Sequence, residues 1–594
     1  MTMQRTGLLA LIASALLIVA GCGGDDVDIV QGDTNVIVEG GTGGDTGGDG
    51  GDGGDGGNGG DPTPATGDFF DLGGFLLNED IHPLLDNIDP TGGGSPDITP
   101  ETPLADQTTC PAGTIDPDSA TINSVVLFDD GDFFEGGDAN PEFPVCVIDS
   151  DFREDGGPTT YTLTNDHVYL LLNAALVGNG GALDQTEADA EDVTLNIEAG
   201  TQIYAQAGER ASIRVTRGST ININGTSDQP VIMAAVDATN TNITGDPTDL
   251  TGRGDWGGLV VDGFAPTNGT DAGNGGDGSN DVPNEQLSEA APTGQTNVYF
   301  GGGNPNDSSG SITYILIGES GVSFRPDAEL QGLTLEGVGD GTTIENVQIF
   351  GSDDDGIEWF GGTVDVSNVI INAASDDGLD IDLGYQGVIK NAIVRQGSQV
   401  GDRTSEADGN GDGFDRTPVT RPVLANVLML GDGDNESIGL MMREGYGADF
   451  EHVVVADGGV VTTVADTVAY GLGCFLNRDE VDEDLNALGL AFFCTNDAAG
   501  GDPGEADASD NLFPVWAAGG YDENGDGSAD GAVTFDATED SGLSVDGSTY
   551  EVTTSAALNG SVTEADAYYG AVDPADAAAG TEFWRGWTVH ISNR

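Results

Sequence analysis

Asn346, Asn368 and Asn391 stand 22 and 23 residues apart, each inside a short apolar run: Thr343-Ile344-Glu345-Asn346-Val347-Gln348-Ile349-Phe350, Val366-Ser367-Asn368-Val369-Ile370-Ile371 and Val388-Ile389-Lys390-Asn391-Ala392-Ile393-Val394. Val423-Leu424-Ala425-Asn426-Val427-Leu428-Met429 repeats the pattern. A period of that length is one turn of a parallel β-helix, whose coils cannot bury an apolar face alone and stack on their neighbours. Asn at one turn position then forms a ladder, each side-chain amide bonding the next about 4.8 Å along the axis. An antiparallel sandwich is the rival fold, but hairpins impose no such register. Earlier runs such as Val193-Thr194-Leu195-Asn196-Ile197, Thr220-Ile221-Asn222-Ile223 and Gly258-Leu259-Val260-Val261 alternate like half-buried strands, at spacings too short for crossover helices. The fold expected is all-β: a right-handed, single-stranded parallel β-helix over residues 145–594.

The segments before it differ in texture. Residues 67–144 mix short apolar clusters with a Pro-rich stretch and form an irregular lead-in or cap. From Gly40 to Asp61 the chain is almost wholly Gly and Asp, with nothing apolar to bury, so 22–66 is a disordered, flexible tether. A Gly-rich coil of about 40 residues spans roughly 35 Å. Residues 1–21 combine Arg5, an apolar run from Leu8 to Ala20 and small residues before Cys22, which makes them a cleaved signal peptide too short to span a bilayer. Val19-Ala20-Gly21-Cys22 resembles the bacterial lipobox, in which the cysteine is lipidated and becomes the new N-terminus. Gly23 rather than Asp follows it, which in lipoproteins implies the cell outer membrane, reached through the lipid anchor; whether the body faces outward or into the periplasm stays open.

Lys and Arg number 16 against 103 Asp and Glu, a formal net charge of −87, which excludes a nucleic-acid groove and makes cations the natural small partners. Besides Cys22 there are four cysteines, an even number in an exported chain, which favours disulfides. Proximity in sequence favours Cys110 with Cys146 and Cys474 with Cys494.

Three regions carry candidate chemistry. Asp353-Asp354-Asp355-Gly356 and Asp376-Asp377-Gly378 share the 22-residue offset, so Asp354, Asp355, Asp376 and Asp377 belong to one corner of adjacent coils, extended by Glu358, Asp380, Asp382, Glu406 and Asp408. Carboxylates that close either share protons, as in a glycosidase acid pair, or hold a divalent cation. The plainer alternative is aspartates capping turns through side-chain-to-backbone bonds. Asp522, Asn524, Asp526 and Asp530 fall at positions 1, 3, 5 and 9 of a calcium-type loop with Gly527 at position 6, although position 12 is Val533. Asp408, Asn410 and Asp412 begin a second such loop, in which Arg416 takes position 9. Calcium is the cofactor these patterns imply.

Asp255-Trp256-Gly257-Gly258-Leu259-Val260-Val261, Asp354-Asp355-Gly356-Ile357-Glu358-Trp359-Phe360-Gly361-Gly362-Thr363-Val364 and Phe583-Trp584-Arg585-Gly586-Trp587-Thr588 resemble a group of secreted bacterial surface proteins and lipoproteins with a pectate-lyase-like β-helix. The resemblance covers roughly residues 160 to 594 and implies the fold more than an activity, since most members carry none assigned. Pectate lyases cradle calcium between carboxylates beside a basic residue, and polygalacturonases cluster aspartates; here no Gly-His-Gly segment follows the acidic pairs, and Arg395, Arg403 and Arg443 cannot be ranked as a base. The function expected is a calcium-stabilised binding or structural module at the cell surface, with a polysaccharide or surface protein as partner. The alternatives are a polysaccharide hydrolase or lyase working at the acidic corner and a calcium-dependent adhesion or matrix protein. Trp359 and Phe360, and the aromatics of 583–587, are expected in the core or an end cap.

Overall fold

The computed structural model describes residues 29–31, 36–38, 109–115, 145–154, 159–206, 210–236, 253–269, 285–288, 298–325, 328–397, 400–411, 413–414, 416–431, 438–456, 473–477, 486–493, short strands between 534 and 553, and 562–588. It divides into two units, Met1–Thr66 and Gly67–Arg594. In the first, Ile29–Gln31 pairs antiparallel with Val36–Val38, a local hairpin within the segment read as tether. Cys22 and the Gly/Asp tract lie outside the described residues.

The second unit is a parallel β-helix. Its coils alternate between two parallel sheets, a long one of 16 strands and a short one of nine among the described residues. The first coil is Thr160–Leu163, Val168–Leu171 and Ala175–Val177; the second is Thr194–Ile197, Gln202–Gln206 and Ile213–Val215. From Gly310–Gly318 onward the first two strands of each coil fuse into one bent strand, as in Thr343–Phe350, Val366–Asn372, Val388–Arg395 and Val423–Leu430. Between these, Leu333–Glu336, Ile357–Phe360, Leu379–Asp382, Arg403–Asp408 and Ile438–Arg443 stack in register as the short sheet.

The bend explains the repeated asparagine. Asn346, Asn368, Asn391 and Asn426 have φ of 60°, 56°, 53° and 55°, the left-handed conformation that Asn tolerates better than other side chains. Asn368 Nδ2 donates to Asn346 Oδ1, and Asn391 Nδ2 to Asn368 Oδ1, each at 3.2 Å, so the expected ladder is present. At its far end Asn426 turns to the C-terminal segment, donating to the Tyr568 carbonyl at 2.6 Å and accepting from the Asp566 N–H at 2.5 Å.

Inside the coils like residues stack on like. Leu333, Ile357 and Leu379 form one buried file, and Leu335, Trp359 and Ile381 another. Each such side chain contributes about 1.5–3 kcal/mol of burial. Trp359 is fully buried beside Tyr385, with ring centroids 5.5 Å apart, so it belongs to the core as expected. Residues 562–588, with one helix at Pro574–Ala579, fold against the bent strands, where Tyr550, Tyr569 and Trp584 cover Ile370, Ile393, Leu428 and Val454. Trp587 packs edge-on against Tyr314. Cys110 and Cys146 form a disulfide that ties the lead-in to the first strand of the long sheet, Val145–Ile148. The pairing of Cys474 with Cys494, and the loop holding Asp522, Asn524, Asp526 and Asp530, lie outside the described residues, as does Asp412.

Candidate functional site

Strand alternation decides which residues of the short sheet face outward. With Leu379 and Ile381 inside, Asp380 and Asp382 point out, and register aligns Glu358, Asp380 and Glu406 in one row and Phe360, Asp382, Asp408 and Arg443 in the next. The acidic pairs sit at the turn entering these strands. Asp377 N–H donates to Asp355 Oδ1 at 2.9 Å, and Arg403 N–H donates to Asp377 Oδ1 at 2.6 Å, so each inner aspartate caps the backbone of the following coil. Both the shared corner and the capping bonds are as the sequence implied. The glycine closing each motif is steric: a Cβ on Gly356 would lie 2.5 Å from Ile371 Cγ2 and 2.6 Å from the Gly378 carbonyl.

Asp354, Asp355 and Asp376 each offer a carboxylate oxygen within 4.8 Å of the others, and so do Asp355, Glu358 and Asp380, and Asp376, Asp377 and Asp402. Two charged carboxylates at 4.8 Å repel by about 3.5 kcal/mol at an effective dielectric near 20. Ionisation is correspondingly resisted. Burial, then Asp376 and Glu329, pushes Asp354 up to about 7. Loss of water around the carboxyl, then Asp402 and Glu406, pushes Asp376 up to about 6. Burial first and Glu444 among the neighbouring charges push Asp382 up to about 7. Asp355, Asp377, Asp380 and Asp408 are also held well above the usual carboxylate range, chiefly by burial and then by one another and Glu406.

Among the described residues, the ion pairs that match this charge lie towards the two ends of the ridge. Towards the N-terminus Arg214 Nη1 reaches Asp262 at 3.0 Å and Glu336 at 2.7 Å, while Ser288 accepts from Arg214 Nη2 and donates to Glu336. Towards the C-terminus Arg443 holds Asp408 through Nε at 2.8 Å and also bonds Glu406, and Arg403 reaches Glu406 at 2.6 Å and Asp377 at 3.6 Å. Arg403 stands where a third Asp would continue the inner file, a break the sequence repeat concealed. Between the ends, Asp355 and Asp380 have no ion pair among the described residues, and Asp380 Oδ1 is buried with no hydrogen-bond partner. A trio of carboxylates, one of them with an orphaned oxygen, is a hard-oxygen set suited to calcium.

The remaining sequence candidates fall elsewhere. Asp408 is engaged by Arg443, and Asn410 donates to Asn268 Oδ1 at 2.9 Å, so the start of the second calcium-type loop is tied into the ridge and its neighbouring turn. Arg395 bonds Tyr550 under the C-terminal segment, away from the acids. Sequence reasoning missed the Arg214 network, whose members are distant in the chain, and Arg253, which donates to the Ser352 carbonyl at 3.0 Å and Ser375 Oγ at 2.9 Å and so staples the two acidic turns together.

A stacked parallel β-helix with a carboxylate ridge on its short sheet defines the class. A family model described as the pectate-lyase like beta helix domain matches residues 161–493, and the chain belongs to that family. No curated protein and no solved structure matches it significantly.

Proposed function

We propose that this chain is a lipid-anchored outer-membrane protein whose β-helix serves as a calcium-stabilised module for binding carbohydrate. The observation that carries the reading is the trio Asp355, Glu358 and Asp380, with oxygens within 4.8 Å of one another and Asp380 Oδ1 buried without a partner. Asp355, Glu358 and Asp380 would hold the ion; when bound it neutralises the ridge and fixes the corner. Asp377 and Arg403 orient the turn, and Arg443 withdraws Asp408 and Glu406 from competing for it. The family points to carbohydrate, and the lipobox-like tetrad at Cys22 supports the anchor.

One observation favours a second reading, a polysaccharide hydrolase. Asp354, half-buried, and Asp376, exposed, offer oxygens within 4.8 Å and are raised to about 7 and about 6, an arrangement in which one acid holds a proton that the other lacks near neutral pH. The test is incubation of the full chain with neutral and acidic polysaccharides, in calcium or chelator, scoring bound polymer, new reducing ends and unsaturated products beside Asp354→Asn/Asp376→Asn. Calcium-dependent retention of polymer without cleavage supports the module. Cleavage that the double variant loses makes the chain an enzyme, and neither retention nor cleavage on any polymer sinks the carbohydrate reading.

A further inference from the structure

The outer surface of the first coils differs from everything around it. In Thr160–Leu163, Thr194–Ile197 and Thr220–Asn224 the inward residues are Tyr161, Leu195, Ile221 and their neighbours, all buried, so the intervening positions face solvent. Register places Thr160, Thr194 and Thr220 in one row and Thr162, Asn196 and Asn222 in the next. The second row continues through Ser311 to Thr343. None of these positions carries a charge, on a chain whose formal net charge is −87.

The rows are ordered and still have hydrogen-bonding capacity. Asn222 Nδ2 donates to Asn196 Oδ1 at 3.0 Å, and Ser311 Oγ lies 3.4 Å from Asn222 Oδ1, which fixes the orientation of the amides. The hydroxyls of Thr160, Thr162, Thr194 and Thr220 make no hydrogen bond among the described residues and are left for a ligand. Further along the axis the same side of the helix changes character. Glu345, Lys390 and Glu451 take outward positions, Lys390 pairs with Asp566, and Glu451 accepts from the Thr563, Glu564 and Ala565 N–H groups of the C-terminal segment. Among the described residues, no segment covers the uncharged rows in this way.

We propose that the rows headed by Thr160 and Thr162 form a docking face for an extended neutral polysaccharide, an inference that rests on the carbohydrate reading above but uses a site separate from the acidic ridge. Neighbouring coils lie about 4.8 Å apart and alternate residues of a strand about 6.6 Å apart, so the face is a flat lattice of hydroxyl and amide groups. The step of about 4.8 Å from coil to coil along each row is close to the length of one pyranose unit in an extended chain. The two rows themselves present no carboxylate to a neutral polymer, whereas an acidic polymer would approach a strongly negative chain and meet no cation in these rows.

The test is co-sedimentation of the full chain with cellulose and chitin, against pectate and alginate, for the native protein, Thr194→Val/Thr220→Val and Thr220→Glu, each checked for an unchanged melting temperature. Valine keeps the shape and strand preference and removes the hydroxyls. Neutral-polymer binding that weakens about tenfold or more in both variants supports the face. Equal neutral-polymer binding by native and variants overturns the face and leaves the carbohydrate reading standing. Binding of acidic polymers alone also overturns it, as does shaping of ice crystals by a native chain that holds no polymer.

Discussion

Asp382 allows the electrostatic account of the ridge to be tested with one atom. Its carboxyl faces outward from the short sheet, half-buried, and is pushed up to about 7 by burial first, then Glu444 and Glu406, against the relief offered by Arg443. The folded state therefore keeps a proton that the unfolded chain releases near 4. Stability is undiminished below that pH, declines as pH rises, and the loss is complete above about 7. Each pH step of one between these limits costs about 1.4 kcal/mol, about 4 kcal/mol in all, which solvent screening at a half-buried edge reduces to ~2 kcal/mol. Asp382→Asn keeps the shape and the acceptor for the Leu383 N–H while removing the titration. Denaturation measured from pH 4 to 8 in chelator at fixed ionic strength should show the native chain weakening with pH. The variant should match or trail it at pH 4 and exceed it by about 2 kcal/mol at pH 8. Parallel curves for the two proteins, or a native chain most stable at pH 8 in chelator, would refute the reasoning.

Two further outcomes test the scaffold. Asn368→Ala loses two ladder hydrogen bonds and places a Cβ-bearing residue without a local amide at φ 56°, together about 3 kcal/mol, whereas Asn368→Gly recovers about 1 kcal/mol of that by relieving the conformation; equal melting temperatures for the two would show that the backbone conformation contributes nothing. Arg214→Met leaves Asp262 and Glu336 buried and unmatched, and should cost about 3–5 kcal/mol in thermal or denaturant unfolding at pH 7, with part of the loss restored at pH 5 as Asp262, whose burial already raises it well above the usual carboxylate range, takes up a proton. A loss independent of pH would mean that the arginine acts by packing alone.

What could be read in the sequence, and what could not, follows from where the chain keeps its period. Asn346, Asn368 and Asn391 were legible because a left-handed bend in each coil selects Asn and adjacent coils there lack insertions. Asp354-Asp355-Gly356 and Asp376-Asp377-Gly378 were legible for the same reason, their glycines fixed by the close approach of the next coil. The earlier coils obscure their register: Asp262 pairs with Glu336 although a long insertion separates them, and that insertion supplies Ser288 to the same ion network. The C-terminal segment has no period at all. Its place on the bent strands depends on pockets around Ile370, Ile393 and Leu428 that exist only once the coils have stacked. Arg403, which substitutes a cation for the third inner aspartate, is one residue in a repeat and gives no local sign of its role.

Calcium titration of the native chain beside Asp380→Asn, followed by calorimetry and by melting temperature, tests the central claim most directly. The account predicts that the native chain binds one more calcium than the variant and gains melting temperature on binding, while the variant loses that increment and keeps its fold. Identical calcium stoichiometry and identical calcium-induced stabilisation in the two proteins would contradict it.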